Sequence, residues 1–552
     1  MVLRLQDKVL IVPEPARLAY TGRSYSFDGF SNFPEFLAKE FDVPKGSWKL
    51  EKVEREGTGL KVEEGVVKVW GEEKIYLATL IQLVREGNGK LPEVEVEEKL
   101  HFKFRGFHLD IARGGVPKVE TFKRLLRWLF LLKYNYFAIY FEDLFPWKKY
   151  PTIGVHRGRL TEDELREVVE YGKKLGIEVF PSLELLGHME NILTLPEFWR
   201  FSEWHRPSEG CLDVSNEEAK RFAYDLLEEA VDFFKDAEYI HIGGDETWAL
   251  GRGKSLNKTW KFEGPKLYEQ HYKKLIEIVK SRGKTPMLWG DMITGIFLTE
   301  EERKVWSKLL ESEIWGEALI ANWNYRPADK EYFREVIGMI KKHGYPQVAS
   351  TGLWNWNKYY PNFELALRNA ESFLGAAREE GIEGFLVTAW GDNGSECLFS
   401  FLDPLILASM EIAEGNGKWE EKWLALTGES EEVLKARKLF GTREVADYLK
   451  HVLFATLHYR RASSDEKKEL AEKWRSILES VKNVDLPRDL DFIRKAIIVG
   501  LKRLENKDDP ADYILLADIY AKLWLEERKP HGLEKITQRF WGAAGRRRYR
   551  IL

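Results

Sequence analysis

The chain has 552 residues, of which 44% are hydrophobic and 32% are charged, and its formal net charge is −5. This length predicts two or three domains, although a barrel can occupy about half of it alone. Because charges of both signs are interleaved, we expect no surface for nucleic acid, and no apolar stretch is long enough to predict a membrane span.

The cysteines and the first residues bear on the cellular compartment. Cys211 and Cys397 lie far apart in the chain and predict neither a disulfide framework nor a thiolate metal site. The first twenty residues, MVLRLQDKVLIVPEPARLAY, lack the apolar segment of a signal peptide, so we expect a cytoplasmic protein. Abundant Lys and Glu with few Met, Gln and Cys resembles the composition of heat-adapted proteins and favours a thermostable chain.

Residues 1–98 mix short strands with helical segments. The stretches KVLIV and LKVEEGVVKVW are typical of strands, whereas FSNFPEFLAKEF and IYLATLIQLVRE have apolar residues at helical spacing. We therefore predict a small N-terminal α/β domain over this range.

Residues 99–415 alternate nearly apolar strands with amphipathic helices, a pattern typical of a parallel sheet covered by helices. Eight such units fit a (β/α)8 barrel, the TIM barrel. A doubly wound open sheet is the alternative, and the count of eight favours the barrel. The predicted strands are FRGFHLDIA, YFAIYFED, IEVFPSLEL, YIHIGGDE, TPMLWGDM, ALIANWNY, QVASTGLWN and EGFLVTAWGD.

Two of the intervening helices carry start signals. LTEDELREVVEYGKKLG offers Thr161 as N-cap with Glu164 three residues later, which is a capping box. SNEEAKRFAYDLLEEAVDFFK offers Ser215 and Glu218 in the same arrangement. Beyond residue 415 the strand signal ends, and EVADYLKHVLFATLHYRRA and PADYILLADIYAKLWLEER predict an α-helical C-terminal domain over residues 416–552.

Side chains suited to catalysis and ligand binding cluster where the predicted strands end, which is where the active site of a parallel barrel lies. Carboxylates, one arginine, one histidine and several tryptophans stand there, and indole faces with carboxylates favour a carbohydrate pocket. A single tryptophan is more often part of a core, and a single acid more often a helix cap. These residues are Asp110, Arg113, Glu142, Asp143, Glu184, His188, Asp245, Glu246, Trp289, Asp291, Trp323, Asn324, Tyr325, Trp354, Trp356, Trp390 and Asp392.

The fourth strand ends in two adjacent carboxylates, in the stretch YIHIGGDETW. A buried pair of like charges favours protonation of one member, which suits an acid catalyst. Successive side chains of a strand point to opposite faces, so Asp245 and Glu246 share a pocket only if the strand breaks up at Gly243 and Gly244.

The chain resembles the β-N-acetylhexosaminidases of glycoside hydrolase family 20 over roughly residues 70–410. The motif GGDE carries the resemblance together with three longer segments in the same order. They are YLATLIQLVREGNGKLPEVEVEEKLHFKFRGFHLDIAR, LDVSNEEAKRFAYDLLEEAVDFFKDAEYIHIGGDE and LVTAWGDNGSE.

The resemblance implies hydrolysis of a terminal β-linked amino sugar, in which the substrate's acetamido oxygen attacks the anomeric carbon. Glu246 would be the general acid, and Asp245 would hold the acetamido N–H and the developing positive charge. Asp143 and His188 would orient and tune the acid. The sugar would be bound by Arg113, Trp289, Tyr325, Trp354, Trp356, Trp390 and Asp392, of which Tyr325 would reach the acetamido carbonyl.

This sequence departs from the family pattern at two places. GGVP follows Arg113 where many relatives have His and an aromatic residue, and Asp392 stands where many have Glu. These differences leave the sugar epimer and the leaving group open.

Two alternatives stay open from the sequence. One is a glycosidase of de-acetylated glucosamine, which would need a second carboxylate as nucleophile, and the other is a non-catalytic sugar-binding barrel. No cofactor or metal is expected, because no His, Cys or carboxylate spacing fits a metal site and LGRGKS lacks the first glycine of a phosphate loop. We expect an oligosaccharide as the only partner apart from other copies of the chain, and a homo-oligomer is compatible with the sequence.

Overall fold

The structure, a computed structural model, describes residues 8–545. The first and last seven residues of the two predicted end domains lie outside this range. The described N-terminal part forms a five-stranded sheet in the order β1-β5-β3-β4-β2, antiparallel except for the β2–β4 pair. Its elements are β1 (Arg17–Ser26), α1 (Glu35–Glu40), β2 (Lys49–Lys52), β3 (Thr58–Glu63), β4 (Val66–Trp70), α2 (Glu73–Gly87) and β5 (Lys90–Glu98).

The segment KVLIV is not a strand, contrary to the prediction. Val9, Ile11 and Val12 are buried, with Ile11 fully covered, and Leu10 is half-buried. The side chain of Gln82 takes the place of a neighbouring strand, since it accepts a hydrogen bond from the backbone N–H of Val12 and donates one to its carbonyl, both at 2.8 Å. The apolar pattern therefore indicated burial correctly and strand pairing wrongly.

In the described chain, eight parallel strands close a barrel in sequential order, β6 to β13, with β13 hydrogen-bonded to β6. The predicted TIM barrel is thus confirmed, and closure excludes the open sheet. Each strand lies within one predicted segment: β6 (Phe104–Asp110), β7 (Tyr136–Tyr140), β8 (Glu178–Ser182), β9 (Tyr239–His241), β10 (Thr285–Trp289), β11 (Leu319–Trp323), β12 (Gln347–Gly352) and β13 (Gly384–Ala389).

Helices follow the strands and cover the outside of the barrel. The main ones are amphipathic, and in α4 the buried residues Leu165, Val168 and Leu175 share one face. The helices are α3 (Val119–Leu131), α4 (Glu162–Leu175), α5 (Glu190–Leu193), α6 (Glu217–Phe233), α7 (Lys254–Thr259), α8 (Gly264–Ser281), α9 (Asp291–Thr294), α10 (Glu300–Trp306), α11 (Lys330–Lys341), α12 (Phe363–Glu380) and α13 (Asp403–Glu414). Short 3-10 turns span Val155–Arg157, Trp199–Phe201, Pro207–Glu209, Ser307–Glu311, Glu313–Glu317 and Phe399–Leu402.

The two predicted helix starts differ in outcome. Thr161 and Glu164 form the capping box at the start of α4. At α6 the N-cap is Asn216, whose side chain accepts from the backbone N–H of Glu218 at 2.9 Å, and the prediction of Ser215 was wrong. Ser215 instead donates to Asp213 at 2.5 Å, so the preceding turn has already engaged its hydroxyl.

The described residues after α13 are helical, as predicted. The elements are α14 (Trp419–Thr427), α15 (Glu431–Phe440), α16 (Arg443–Ala446), α17 (Leu449–Leu453), α18 (Leu457–Arg461), α19 (Ser464–Val481), α20 (Arg488–Leu504), α21 (Pro510–Glu527) and α22 (Leu533–Gly545). None of the helices within residues 8–545 combines the length and the apolarity needed to cross a bilayer. The division at residues 99 and 415 stays a prediction.

The stretch EVADYLKHVLFATLHYRRA, predicted as one helix, is broken into α16, α17 and α18. Asp447, which follows α16, contacts the barrel through Lys358, whose Nζ lies 3.1 Å from its carboxylate. Ala455 adopts a left-handed backbone with φ of 45°, which ends the helical path before Thr456. Contacts with the rest of the molecule therefore override the helical periodicity.

Candidate active site

The fourth barrel strand ends in a turn that brings two carboxylates to the same side. Gly243 and Gly244 have φ of 71° and 110°, a backbone that favours glycine. A Cβ on Gly243 would lie 2.4 Å from Oε2 of Glu184, and one on Gly244 would lie 2.7 Å from the hydroxyl oxygen of Tyr268. The glycines therefore permit both the turn and the close packing beneath it, and the strand ends before Asp245.

His188 contacts both members of the pair. Its Nε2 lies 3.3 Å from Oδ2 of Asp245 and 3.4 Å from Oε2 of Glu246. Burial lowers the pKa of the His188 ring, but the Asp245 charge and hydrogen bonds to both acids raise it well above its usual range. The ring is therefore positively charged at neutral pH and holds the two carboxyl groups side by side.

Asp245 and Glu246 differ in their surroundings. Asp245 is buried, and burial alone would raise its pKa, but the charge of His188 and hydrogen bonds from His188 and Glu184 lower it on balance. The side chain of Glu246 is 40% exposed, so only one member of the adjacent pair is buried. Its backbone has φ of 49°, and its N–H donates to Oδ2 of Asp291 at 3.0 Å.

Two further acids, Glu184 and Asp291, belong to this cluster, although neither was predicted to have a catalytic or binding role. Glu184 is fully enclosed, and burial together with the Asp245 charge raises its pKa well above the usual range. Burial and the same charge raise the pKa of Asp291 to about 8. The shifts of these two acids favour their protonated forms, while that of Asp245 favours its anion. Their positions at strand ends were visible in the sequence, but the protonation depends on depth, which no sequence pattern reports.

Asp143 and His188, both predicted to orient and tune the acid, do not contact each other among the described residues. The carboxylate of Asp143 instead lies 2.8 Å from Nε of Arg157, an arginine of the loop before α4. Burial raises the pKa of Asp143 to about 6, with Arg157 acting in the opposite direction. Any role of Asp143 at the acid would therefore be indirect.

Arg113 lies between two buried carboxylates at the end of the first barrel strand. Its Nη1 donates to Oδ2 of Asp110 at 2.9 Å, and its Nη2 lies 3.0 Å from Oε1 of Glu142. The guanidinium also lies over the rings of Tyr140 and Trp390, at 4.9 and 5.6 Å. A guanidinium has five N–H donors, so this arrangement fixes its position and leaves further donors for a ligand.

Asp392 lies near this arginine on the loop after β13. It is half-buried and accepts a hydrogen bond from Nδ2 of Asn357 at 3.1 Å. Burial raises the pKa of Asp392 to about 6, and Arg113 opposes the shift. The carboxylate is therefore ionised at neutral pH and one of its oxygens is free of Asn357.

Aromatic side chains form a continuous row at the carboxyl ends of β11, β12 and β13. Neighbouring ring centroids lie 4.9 to 5.3 Å apart, and Nε1 of Trp390 donates to the hydroxyl of Tyr325 at 2.7 Å. The row includes one member absent from the predicted binding residues, Trp323, whose Nε1 donates to Oδ1 of Asp291 at 3.0 Å. Its half-buried members are Trp323, Tyr325, Trp356, Trp354 and Trp390.

Trp289 is not a wall of this pocket, contrary to the prediction. It is completely buried, and its ring packs on His241 at 4.3 Å and on Trp390 at 5.8 Å. Trp289 is still inside strand β10, so its side chain fills the barrel interior beneath the row. Burial lowers the pKa of His108 to about 3 and that of His241 well below its usual range, so this floor is uncharged.

One group of the described carboxylates and imidazoles has ligand atoms close enough to hold a cation, namely Glu142, His188 and Glu190, within 4.8 Å of one another. Two of the three are already engaged, since Glu142 pairs with Arg113 and His188 with Asp245. A cation there would compete with those ion pairs, so we assign it no role.

A family model described as glycosyl hydrolase family 20, catalytic domain, matches residues 102–377, half of the chain. The chain is 25% identical to hexosaminidase D of Homo sapiens over 304 residues, 52% of this chain and 60% of that protein. It is 32% identical to the β-hexosaminidase of Vibrio furnissii over 205 residues, 31% of this chain and 33% of that protein. The chain thus spans less than two thirds of the length of either relative.

Solved structures show the same fold. An exo-β-N-acetylglucosaminidase from Vibrio harveyi in complex with N-acetylglucosamine matches with a TM-score of 0.59 at 16% identity, over 76% of this chain and 77% of that one. The β-N-acetylhexosaminidase from Bacteroides fragilis NCTC 9343 matches with a TM-score of 0.59 at 19% identity, over 74% and 92%. The closed barrel agrees with the family match over half of the sequence, and the chain therefore belongs to glycosyl hydrolase family 20.

Proposed function

We propose that this protein is a retaining exo-β-N-acetylhexosaminidase that releases terminal β-linked N-acetylglucosamine or N-acetylgalactosamine. The observation that carries the proposal is the contact of Nε2 of His188 with both Asp245 and Glu246. The charge of His188 lowers the pKa of the buried Asp245, and the same ring holds the partly exposed carboxyl of Glu246 beside it. Membership of a glycosyl hydrolase family and relatives named hexosaminidases support an amino sugar as substrate.

In the first step Glu246 donates its proton to the glycosidic oxygen, and the bond between that oxygen and the anomeric carbon breaks. The acetamido oxygen of the same sugar forms a bond to the anomeric carbon, which gives an oxazolinium ion. In the second step water attacks the anomeric carbon, Glu246 takes a proton from the water, and the acetamide is restored. The two displacements retain the β configuration.

Asp245 accepts a hydrogen bond from the acetamido N–H, which turns the acetamido oxygen toward the anomeric carbon. Its charge also stabilises the positive charge of the oxazolinium ion, and a charge-assisted hydrogen bond of this kind is about twice as strong as a neutral one. Tyr325 donates to the acetamido carbonyl oxygen, and the bond that Tyr325 accepts from Trp390 strengthens that donation.

The other polar groups hold the rest of the sugar. Arg113, fixed by Asp110 and Glu142, donates to sugar hydroxyls, and Asp392 accepts from the outer ones. The aromatic row packs on the C–H faces of the ring. Glu184 is enclosed and both oxygens of Asp291 accept N–H bonds from the protein, and the raised pKa of each acid favours its less nucleophilic protonated form, which supports attack by the substrate's own amide over attack by an enzyme carboxylate.

The test of the acid is Glu246→Gln, assayed on the nitrophenyl β-glycoside and on the disaccharide of N-acetylglucosamine. We expect hydrolysis of the disaccharide to fall by roughly 10²–10⁴-fold, because its poor leaving group needs the proton. The nitrophenyl glycoside should lose less. Glu263→Gln, which changes another glutamate of the following loop that pairs with Lys266, should leave both rates unchanged. Equal rates in Glu246→Gln and the wild type would refute the assignment.

The test of the internal nucleophile compares the acetylated substrate with its free-amine counterpart, and follows the first-formed anomer by NMR. We expect the acetylated sugar to be cleaved with retention and the amine to be essentially resistant. Faster cleavage of the amine would identify a glucosaminidase instead. Sugar binding by calorimetry, with no hydrolysis from pH 4 to pH 9, would identify a binding protein.

A further inference from the structure

The loop that follows the last barrel strand, residues 390–397, has an unusual backbone. Asp392 and Ser395 have φ of 42° and 55°, and Gly394 has φ of 127°. Non-glycine residues in such a conformation cost about 1–3 kcal/mol each and persist only where the surroundings impose them. Because Asp392 belongs to the proposed sugar site, whatever imposes this conformation also sets the position of its carboxylate.

The C-terminal helices bind the carbonyl groups of this loop one after another. Arg539 of α22 donates to the carbonyl oxygen of Asn393 at 2.6 Å, and the hydroxyl of Tyr520 donates to that of Glu396 at 2.8 Å. Arg528 donates to the carbonyl of Ser395 at 2.5 Å and also to the carbonyl of Cys397. Each of these donors comes from a segment more than a hundred residues further along the chain.

A buried ion cluster lies behind these bonds. The carboxylate of Glu396 is completely covered and is bound by Lys450 and by Arg539, both from the helical domain. Arg528 is also fully buried, with its guanidinium 4.1 Å from the ring centre of Phe399. Groups desolvated to this extent keep their geometry only while every partner is in place.

The same C-terminal segment also supports the loop behind Arg113. The backbone N–H of Lys529 donates to the carbonyl of Val116 at 2.9 Å. A Cβ on Gly532 would lie 2.0 Å from the carbonyl oxygen of Gly114, so the two backbones are in close contact. Both loops meet at Asp110, which accepts from the N–H of Gly391 at 2.8 Å and from Arg113.

We propose that the C-terminal helical domain is part of the sugar-binding site, with Arg539 and Glu396 as positioning residues for Asp392 and, through the shared Asp110, for Arg113. The inference rests on the proposed function, because it takes Asp392 and Arg113 as the groups that bind the sugar hydroxyls. The domain touches no substrate itself, and acts by holding the backbone on which these two side chains stand.

The test compares Arg539→Ala, Arg539→Lys and Arg494→Ala. Arg494 is a matched control, since its side chain is 24% exposed against 23% for Arg539. It also binds one acid and backbone carbonyls, but these partners, Asp491, Val481 and Val484, all belong to the helical domain. Melting temperatures measured for all three variants separate loss of stability from loss of positioning.

We expect Arg539→Ala to raise KM for the hexosaminide about tenfold or more with kcat changed by less than about threefold, because hydroxyl contacts are made before and during the reaction alike. Arg539→Lys should recover most of the affinity, and Arg494→Ala should keep the wild-type KM. The ratio of KM values for the two C4-epimeric substrates should also change in Arg539→Ala. Equal KM in Arg539→Ala and Arg494→Ala would overturn the proposal.

Hydrogen exchange gives a second readout that does not need activity. Amides of residues 391–397 should exchange faster in Arg539→Ala than in Arg494→Ala, and unchanged exchange would overturn the proposal. If the wild type hydrolyses no hexosaminide, the proposed function fails, and calorimetry with N-acetylglucosamine replaces the kinetic arm. An equal affinity for that sugar in Arg539→Ala and the wild type would then reject the positioning role.

Discussion

His188 is charged because the neighbouring acids outweigh the effect of burial on its ring. The result is a cluster in which the pKa shifts run in opposite directions: that of Asp245 favours the anion, whereas those of Glu184 and Asp291 favour the protonated carboxyl. The cluster therefore supplies one fixed negative charge where the proposed intermediate is positive. Extra ionised carboxylates beside it would repel one another and compete for the same imidazolium.

The raised pKa of Asp392 predicts how substrate binding depends on pH. Its pKa is raised to about 6, and the ionised form is the stronger acceptor for sugar hydroxyls because its hydrogen bonds are charge-assisted. Lowering the pH from 7 to 5 protonates it, so KM should rise by up to about tenfold over this range. The measurement is KM for the nitrophenyl hexosaminide against pH. In Asp392→Asn we expect a high KM that is nearly independent of pH; an unchanged acid limb in that variant would assign the titration to another group.

At the scale of the single element, the turn after β9 depends on two glycines that cannot be replaced without moving their neighbours. A Cβ at Gly244 would lie 2.7 Å from the hydroxyl oxygen of Tyr268 and 3.0 Å from that of Tyr272. The backbone φ of 110° adds strain for any other residue. The turn therefore couples local packing to the position of Asp245.

Gly244→Ala should lower the free energy of unfolding by about 1–3 kcal/mol and kcat by at least about tenfold, because a small displacement of Asp245 misplaces the acetamido group. Urea unfolding and steady-state kinetics measure the two effects. Gly338→Ala in α11 is the control: a Cβ there meets nothing within 4 Å, and the change should stabilise the chain by about 0.4–1 kcal/mol. Equal stability changes in the two variants would contradict the strain argument.

The strands of the barrel were predictable because their apolar runs reflect burial on both faces, and all eight were found. Residues 8–12 gave the same signal without forming a strand, since a side chain, Gln82, satisfied the backbone instead. Likewise, where the predicted helix over residues 444–462 is split, Asp447 contacts Lys358, which is distant in sequence. The local sequence pattern predicts which residues are buried and whether they repeat at helix or strand spacing. It does not predict which distant residues they will contact.

The residues of the candidate site could be predicted from their positions at strand ends. The contacts between their side chains were harder to predict. The adjacent glycines Gly243 and Gly244 predicted that the side chains of Asp245 and Glu246 lie on the same side of the chain. Nothing local indicated that Asp143 would pair with Arg157, or that Trp289 would be covered by Trp390. Which of two neighbouring acids keeps a proton depends on depth and on charges from other strands, and these exist only in the folded chain.

At the scale of the whole molecule, the N-terminal domain is joined to the barrel by a buried ion pair. Nζ of Lys133 lies 2.7 Å from Oε1 of Glu98, and neither side chain has more than 2% exposure. The hydroxyl of Thr79 also donates to Glu98. Removing one partner of such a pair leaves the other charge buried and uncompensated.

Lys133→Met should therefore lower the free energy of unfolding by about 3–5 kcal/mol, measured by urea denaturation. The double variant Lys133→Met/Glu98→Gln should recover part of that loss, because Glu98 then no longer leaves a buried charge without its partner. Lys52→Met removes a partner from an exposed pair with Glu73 and should change stability by less than about 1 kcal/mol. A similar loss in the exposed and buried variants would show that burial does not govern this pair.

The contact between the start of the barrel and the helical domain also affects when the site can form during synthesis of the chain. Thr121 donates to the carbonyl of Glu527, and these residues lie 406 positions apart in the chain. At a synthesis rate of about 5–20 residues per second, roughly 20–80 seconds separate their emergence from the ribosome. In about the last third of that interval, after the strand that ends at Ala389 has emerged, the nascent barrel has its strand-end acids but not the backbone that secures Arg113, so translation itself delays the moment at which a sugar can first be held.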